Sequence, residues 1–174
     1  MYWKKDKIGI PQWESDAVRG DLKPFSPQEG QDLSPDMQAY CRYYGLDLWV
    51  EYPEVLYSPG LVEAGGHQVA VHFYRLPEQR DTKGTVFILH GYFDHVGLYS
   101  QLIERCLSAG YHVLAWDQPG HGLSSGAPAA IGSFMEYQAV LSDLMARVRR
   151  HAPGPWHAVG QSTGSGILID YLLS

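Results

Sequence analysis

The sequence predicts an α/β fold, with a sheet that runs parallel after an antiparallel opening. Thr85-Val86-Phe87-Ile88-Leu89 is apolar on successive positions, as expected of a strand buried on both faces. Tyr111 to Trp116 reads the same way. Segments of helical period separate and follow these runs, giving strand–helix–strand–helix–strand–helix from about residue 85 onward.

Each element has its own local signal. Residues 1 to about 33 are rich in Pro, Gly and charge, with Trp3 and Trp13 as large anchors, and read as an irregular arm over the domain. A short helix follows. Ser34 suits its N-cap, Pro35 its first turn and Gly45 the position past its end. Met37, Tyr40, Cys41 and Tyr44 give that helix one apolar stripe. Two extended runs, about 54–63 and 67–76, meet at Gly65-Gly66. Val69, Val71 and Phe73 alternate with polar residues there, which predicts a hairpin with one wet face. After the 85–89 strand, Leu98 to Ala109 reads as a helix closed by Gly110. Ser133 and Glu136 form a capping-box pattern at the start of the next helix. Phe134, Tyr137, Val140, Leu141, Leu144 and Val148 would line its inner face. Pro153-Gly154-Pro155 breaks it, and a short strand, 156–159, precedes a last helix. Residues 1–48 are thus an arm and short helix, and 49–174 belong to the sheet domain.

Composition narrows the function classes. Apolar residues make up 45% and charged ones 18%, the balance of a globular chain. A formal charge of −6 disfavours nucleic acid or an anionic membrane as the main partner. Cys41 and Cys106 lack metal or redox spacing, so free thiols and a cytoplasmic setting are expected. The basic start at Lys4-Lys5 has no apolar run behind it, so no secretory signal is read. No apolar run reaches the roughly 20 residues that span a bilayer, so no stable membrane insertion is expected.

The chemistry concentrates in Gly160-Gln161-Ser162-Thr163-Gly164, between the strand ending at Val159 and the helix holding Ile167-Leu168-Ile169. Strand, Gly-x-Ser-x-Gly, helix is the pattern of a nucleophile elbow, which exposes a serine hydroxyl to a base. Glycines two before and two after the serine let strand and helix approach closely. Gly122-Leu123-Ser124-Ser125-Gly126 also fits the spacing. It follows a loop and precedes Ala127-Pro128, so Ser124 reads as a loop residue and Ser162 as the nucleophile.

Two further stretches make a resemblance specific. Leu89-His90-Gly91-Tyr92-Phe93-Asp94-His95, with Tyr99, is similar to the His-Gly-x-x-(Glu/Asp)-His run of the α/β-hydrolase superfamily. Asp117-Gln118-Pro119-Gly120-His121-Gly122-Leu123-Ser124 is similar to its loop after the fourth strand. With the elbow, these motifs resemble the monoacylglycerol lipase and lysophospholipase branch over about residues 55–174. The resemblance implies an α/β-hydrolase fold, truncated after the elbow helix. It implies a serine esterase acting on lipid-like esters through an acyl-enzyme on Ser162, with no metal or organic cofactor. The Tyr92 and Thr163 N–H groups become the oxyanion donors, and His90, Gly91, Gly160 and Gly164 support them. The elbow departs from the branch's usual Gly-His-Ser-Met-Gly at Gln161 and Thr163. The superfamily's later Asp and His do not follow in these residues, so a C-terminal half of the same protein is expected as partner, and the chain alone is expected to be inactive. Epoxide hydrolases and haloalkane dehalogenases carry Asp at the elbow and are disfavoured. Peptidase, thioesterase and acyltransferase chemistry stay open.

The remaining candidates take structural readings. His90 and His121 are expected to hold loop geometry, and Asp94 and Asp117 to brace loops. His95 could line the pocket mouth or serve a hydrogen-bonding role. His67, His72, His112, His151 and His157 lie in strands or near turns and read as structural. A metal-dependent hydrolase using His90, Asp94 and His95 is a remote alternative, because Tyr92 stands where that pattern needs a further His. A hydrolase fold kept as a non-catalytic binding scaffold is another.

Overall fold

A computed structural model describes residues 14–27, 30, 32–78 and 81–174, so Trp3 and Trp13 lie outside the described residues. Five strands form one sheet in the order β1-β2-β4-β3-β5. Strands β1 (Leu56–Ala64) and β2 (His67–Arg75) are antiparallel and pair through Ala64 and His67. Gly65 and Gly66 turn between them at φ 56° and 81°, the double positive φ of a tight hairpin. Strand β2 lies antiparallel to β4 (His112–Trp116). Strand β3 (Thr85–Leu89) lies parallel to both β4 and β5 (Trp156–Gly160). Every residue of β3 and β4 is buried, as their unbroken apolar runs require.

The expected wet face of the hairpin is absent, because two layers cover the sheet. Val69, Val71 and Phe73 pack toward α4 (Phe134–Val148) and α5 (Thr163–Leu173). Ala70 and Tyr74 pack on the other face, with Met37, Tyr40 and Cys41 of α2 (Pro35–Tyr44) and Val18 of α1 (Ser15–Asp21). Even His72 is buried. The arm expected to be irregular therefore contains a helix, α1, and it joins the core. Residues 23–25 also run beside β1, where the Phe25 N–H donates to Leu61 O and the Leu61 N–H to Lys23 O, both at 2.9 Å. That protects one edge of the sheet. Gly60 permits the approach, since a Cβ there would lie 2.6 Å from the Phe25 Cα.

The helix signals hold where local chemistry dominates. Ser34 Oγ accepts the Met37 N–H at 3.1 Å, and Gly45 closes α2 at φ 70°. The helix expected over 98–109 is instead a 3₁₀ turn, Val96–Tyr99, followed by α3 (Ser100–Ser108). The His95 side chain caps that turn, accepting the Gly97 N–H at 3.2 Å. The capping box of α4 forms only in part. Ser133 Oγ accepts the Met135 N–H at 3.2 Å, while Glu136 turns away to pair with His67 Nε2 at 2.9 Å. Phe134, expected inside, is 42% exposed and meets Tyr137 edge-on.

The other edge of the sheet is open. Along β5, Trp156 to Val159 are exposed, and Leu172 and Leu173 of α5 are 79% and 82% exposed. Among the described residues no helix is long and apolar enough to cross a membrane.

Candidate active site

Three loops leave the same end of the parallel strands, after Leu89, Trp116 and Gly160. Ser162 joins β5 to α5 with φ 50° and ψ −114°, a conformation that residues with a side chain seldom adopt. Its neighbours hold it there. The Gln161 N–H donates to Leu89 O at 3.0 Å, Gly164 N–H to Gln161 O at 2.9 Å, and Gly166 N–H to Ser162 O at 3.1 Å. A Cβ on Gly160 would lie 2.6 Å from the Gly164 carbonyl carbon, and one on Gly164 only 2.2 Å from Leu89 O. Glycine at both positions is what lets α5 start against the ends of β3 and β5.

Ser162 is exposed, and among the described residues its hydroxyl has no hydrogen-bond partner. Thr163 is the first residue of α5, so its N–H has no acceptor within the helix.

The loop after β3 is fastened to this elbow by Tyr99. Its hydroxyl accepts the Gly91 N–H at 3.2 Å and donates to Asp94 Oδ2 at 2.9 Å. Gln161 Oε1 lies 3.4 Å from the same hydroxyl. Burial pushes the Tyr99 phenol up to about 12, so it keeps its proton. A Cβ on Gly91 would come within 1.9 Å of Gln161 Oε1, so loop and elbow touch there. That contact brings the segment carrying Tyr92 up to the turn carrying Thr163. Phe93, next in the loop, has φ 61° and is 77% exposed. The Tyr92 hydroxyl donates to Ala129 O, and its ring meets His121 edge-on.

His90 is buried with both ring nitrogens engaged. Nε2 accepts the Gln118 N–H at 2.8 Å, so Nδ1 carries the proton and donates to Gly91 O at 2.7 Å. Burial lowers its pKa and keeps the ring neutral. Asp117, fully buried, accepts the Val96 N–H at 2.7 Å on one oxygen and the Leu123 N–H at 2.8 Å on the other. It therefore braces two loops. Ser124 is buried too, donating to Asp117 O at 2.6 Å and accepting the Ala70 N–H at 2.8 Å. The second Gly-x-Ser-x-Gly match is a loop brace. His121 Nδ1 lies 2.9 Å from Pro119 O. His95 serves hydrogen bonding, with Tyr40 as well as Gly97 on its Nδ1.

The metal-centred alternative fails on this geometry. Both nitrogens of His90 are committed to the backbone, and among the described residues no three or more His, Cys, Asp or Glu side chains cluster to hold a metal. Sequence reasoning missed the hub made by Tyr99, Asp94 and Gln161. Gln161 fills a variable position of the motif, so no pattern in the chain marks its closeness to Gly91.

Residues 80–174 match the family described as Serine aminopeptidase, S33. The chain belongs to this α/β-hydrolase family. Among its curated relatives in this serine hydrolase family, a monoacylglycerol lipase of Mycolicibacterium smegmatis is 33% identical over 92 residues, covering 52% of this chain and 33% of the relative. Phospholipase YtpA of Bacillus subtilis is 33% identical over 87 residues, covering 50% of this chain and 33% of its own. The chain thus spans about a third of the length of these relatives. A cold-adapted esterase from an Arctic intertidal metagenomic library matches in structure at a TM-score of 0.57 and 19% identity, over 70% of this chain and 56% of its own. That likeness shows the α/β-hydrolase fold.

Proposed function

We propose that Ser162 is the nucleophile of a carboxylic ester hydrolase, acting on lipid-like esters as the N-terminal portion of a longer enzyme. The observation that carries this reading is the backbone of Ser162, held at φ 50° and exposed between β5 and α5. A backbone conformation this costly persists only where the surroundings impose it, and such positions concentrate at functional sites. The lipase and phospholipase relatives support the ester class.

In this mechanism Ser162 Oγ attacks the ester carbonyl carbon while a base takes its proton. The N–H groups of Tyr92 and Thr163 receive the oxyanion, a contribution typically worth about 3–4 kcal/mol of barrier per donor. The carbonyl–oxygen bond to the alcohol breaks as the alcohol takes the proton, leaving an acyl-serine. Water then attacks, giving the acid and restoring the hydroxyl. His90, Gly91, Gly160 and Gly164 hold the frame. The reaction needs no cofactor.

The base and its orienting carboxylate come from outside these 174 residues. Two observations support that. The Ser162 hydroxyl has no partner among the described residues, and the exposed edge of β5 with Leu172 and Leu173 offers an apolar seat for further elements of the same domain. The free thiols of Cys41 and Cys106 suit a cytoplasmic setting.

A fluorophosphonate probe on the full-length gene product, with peptide mass mapping, tests the assignment. The adduct is expected on the Gly160–Gly164 peptide and absent in Ser162→Ala. Labelling at Ser124, or none in a folded full-length protein, would overturn it, the latter favouring a scaffold. The 174-residue chain alone should turn over an activated short-chain ester no faster than Ser162→Ala.

A further inference from the structure

At the end of the sheet opposite Ser162 lies a cavity of about 540 Å³, lined by Arg75, Glu78, His112, Arg150 and His151 among others. Arg75 ends β2 and His112 begins β4, whereas the elbow sits beyond the far ends of β3 and β5. The two sites share the sheet but no residue.

Arg75 is the informative member. Its guanidinium lies 5.7 Å from the centre of the Phe73 ring. Its Nε and Nη2 are shut off from solvent and, among the described residues, have no hydrogen-bond partner. Buried guanidinium N–H groups without an acceptor are costly, and folded proteins nearly always pair them. Glu78 lines the same cavity, yet among the described residues no ion pair joins it to Arg75. His112 Nδ1 accepts the Leu76 N–H at 2.9 Å, so the neutral ring carries its hydrogen on Nε2, as a donor. Arg150 and His151 follow the C-terminal end of α4, where basic residues often sit for the helix dipole alone. That accounts for those two residues and not for Arg75, which arrives from a strand.

We infer that this cavity binds a small phosphate-bearing molecule. Arg150 presents a forked donor suited to oxyanions, His112 adds another, and the positive charge of Arg75 lies beside them without an ion-pair partner among the described residues. A phosphate offers three oxygens to so many donors, and a carboxylate only two. The cavity is large enough to hold an organic group beyond the phosphate.

Titration calorimetry of the purified chain with inorganic phosphate, against sodium chloride at matched ionic strength, tests the inference. Saturable binding to phosphate is expected, with acetate at least tenfold weaker. Arg150→Gln, at an exposed position that leaves the fold intact, should weaken phosphate about tenfold, the effect of losing one charge-assisted contact. Glu78→Gln should tighten it by removing a like charge. Ser162→Ala should leave it unchanged, so the site stands apart from the esterase reading. Binding no stronger than to chloride, acetate equal to phosphate, or indifference to Arg150→Gln would each overturn the proposal.

Discussion

His90 Nε2 accepts the backbone N–H of Gln118 at 2.8 Å, tying the loop after β3 to the loop after β4 through one buried ring. The opposite nitrogen donates to Gly91 O, which also accepts the Asp94 N–H, so the buried imidazole alone satisfies the Gln118 N–H. Replacing it by Leu leaves the Gln118 N–H unpaired, while Gly91 O keeps the Asp94 N–H at 3.2 Å. Each buried orphan typically costs about 1–3 kcal/mol. His90→Leu should therefore lose about 1–3 kcal/mol in urea unfolding, and an unchanged midpoint would show that the bridge contributes nothing.

Gly164 and Gly20 make a controlled pair. A Cβ on Gly164 would meet backbone, 2.2 Å from Leu89 O, whereas one on Gly20 in α1 finds nothing within 4 Å. Gly164→Ala must shift β3 or α5, so it should yield insoluble protein or a loss of about 4 kcal/mol or more. Gly20→Ala should raise stability by about 0.5–1 kcal/mol through helix propensity. Expression yield and thermal melts compare the two. Equal behaviour would contradict the close packing at the elbow.

Acid should destabilise the fold through His72. Burial lowers its pKa to about 4, and its Nδ1 already lies 2.7 Å from the Tyr57 hydroxyl. The unfolded side chain titrates near 6.5. Between those values the unfolded chain holds a proton that the folded chain does not, so stability falls as pH falls. The contribution is fully present above about pH 6.5 and declines by about 1.4 kcal/mol per pH unit below it. His90 and His112, whose pKa values burial also lowers, act in the same direction. Urea midpoints from pH 7.5 to 4.5 should show this slope, reduced by about 1.4 kcal/mol per unit in His72→Gln.

How much of this could be read from the chain depends on the range of the forces involved. β3 was legible because a strand covered on both faces must be apolar throughout, and Ser34 and Gly45 were legible because caps act within a few residues. The strand-to-helix turn at Ser162 was legible because the apolar runs of β5 and α5 flank it in sequence. The burial of His72 was not, since it shares a face with Ala70 and Tyr74 that residues distant in sequence cover, with Tyr57 against its ring. Glu136 follows the same logic: its spacing from Ser133 suggests a cap, but His67, distant in sequence, is the stronger partner. Gln161 reaches Gly91 only across space.

Leu172 and Leu173 should make the 174-residue chain self-associate. Burying a leucine side chain contributes roughly 1.5–3 kcal/mol, and these two are 79% and 82% exposed. Leu172→Lys with Leu173→Glu should shift size-exclusion profiles toward monomer while leaving the unfolding midpoint within about 0.5 kcal/mol. Unchanged association would place the sticky surface elsewhere.

The open strand also carries its own optical reporter. Trp156 is 37% exposed on β5, with its ring edge-on to Phe87 and its indole N–H donating to Ala152 O at 2.8 Å, whereas Trp116 is buried in the sheet. Whatever covers that edge must dehydrate the indole. Its emission would then move to shorter wavelength, against a background from the four other tryptophans that Trp156→Phe isolates. The natural chain thus reports the closing of its own sheet by fluorescence, with no label attached.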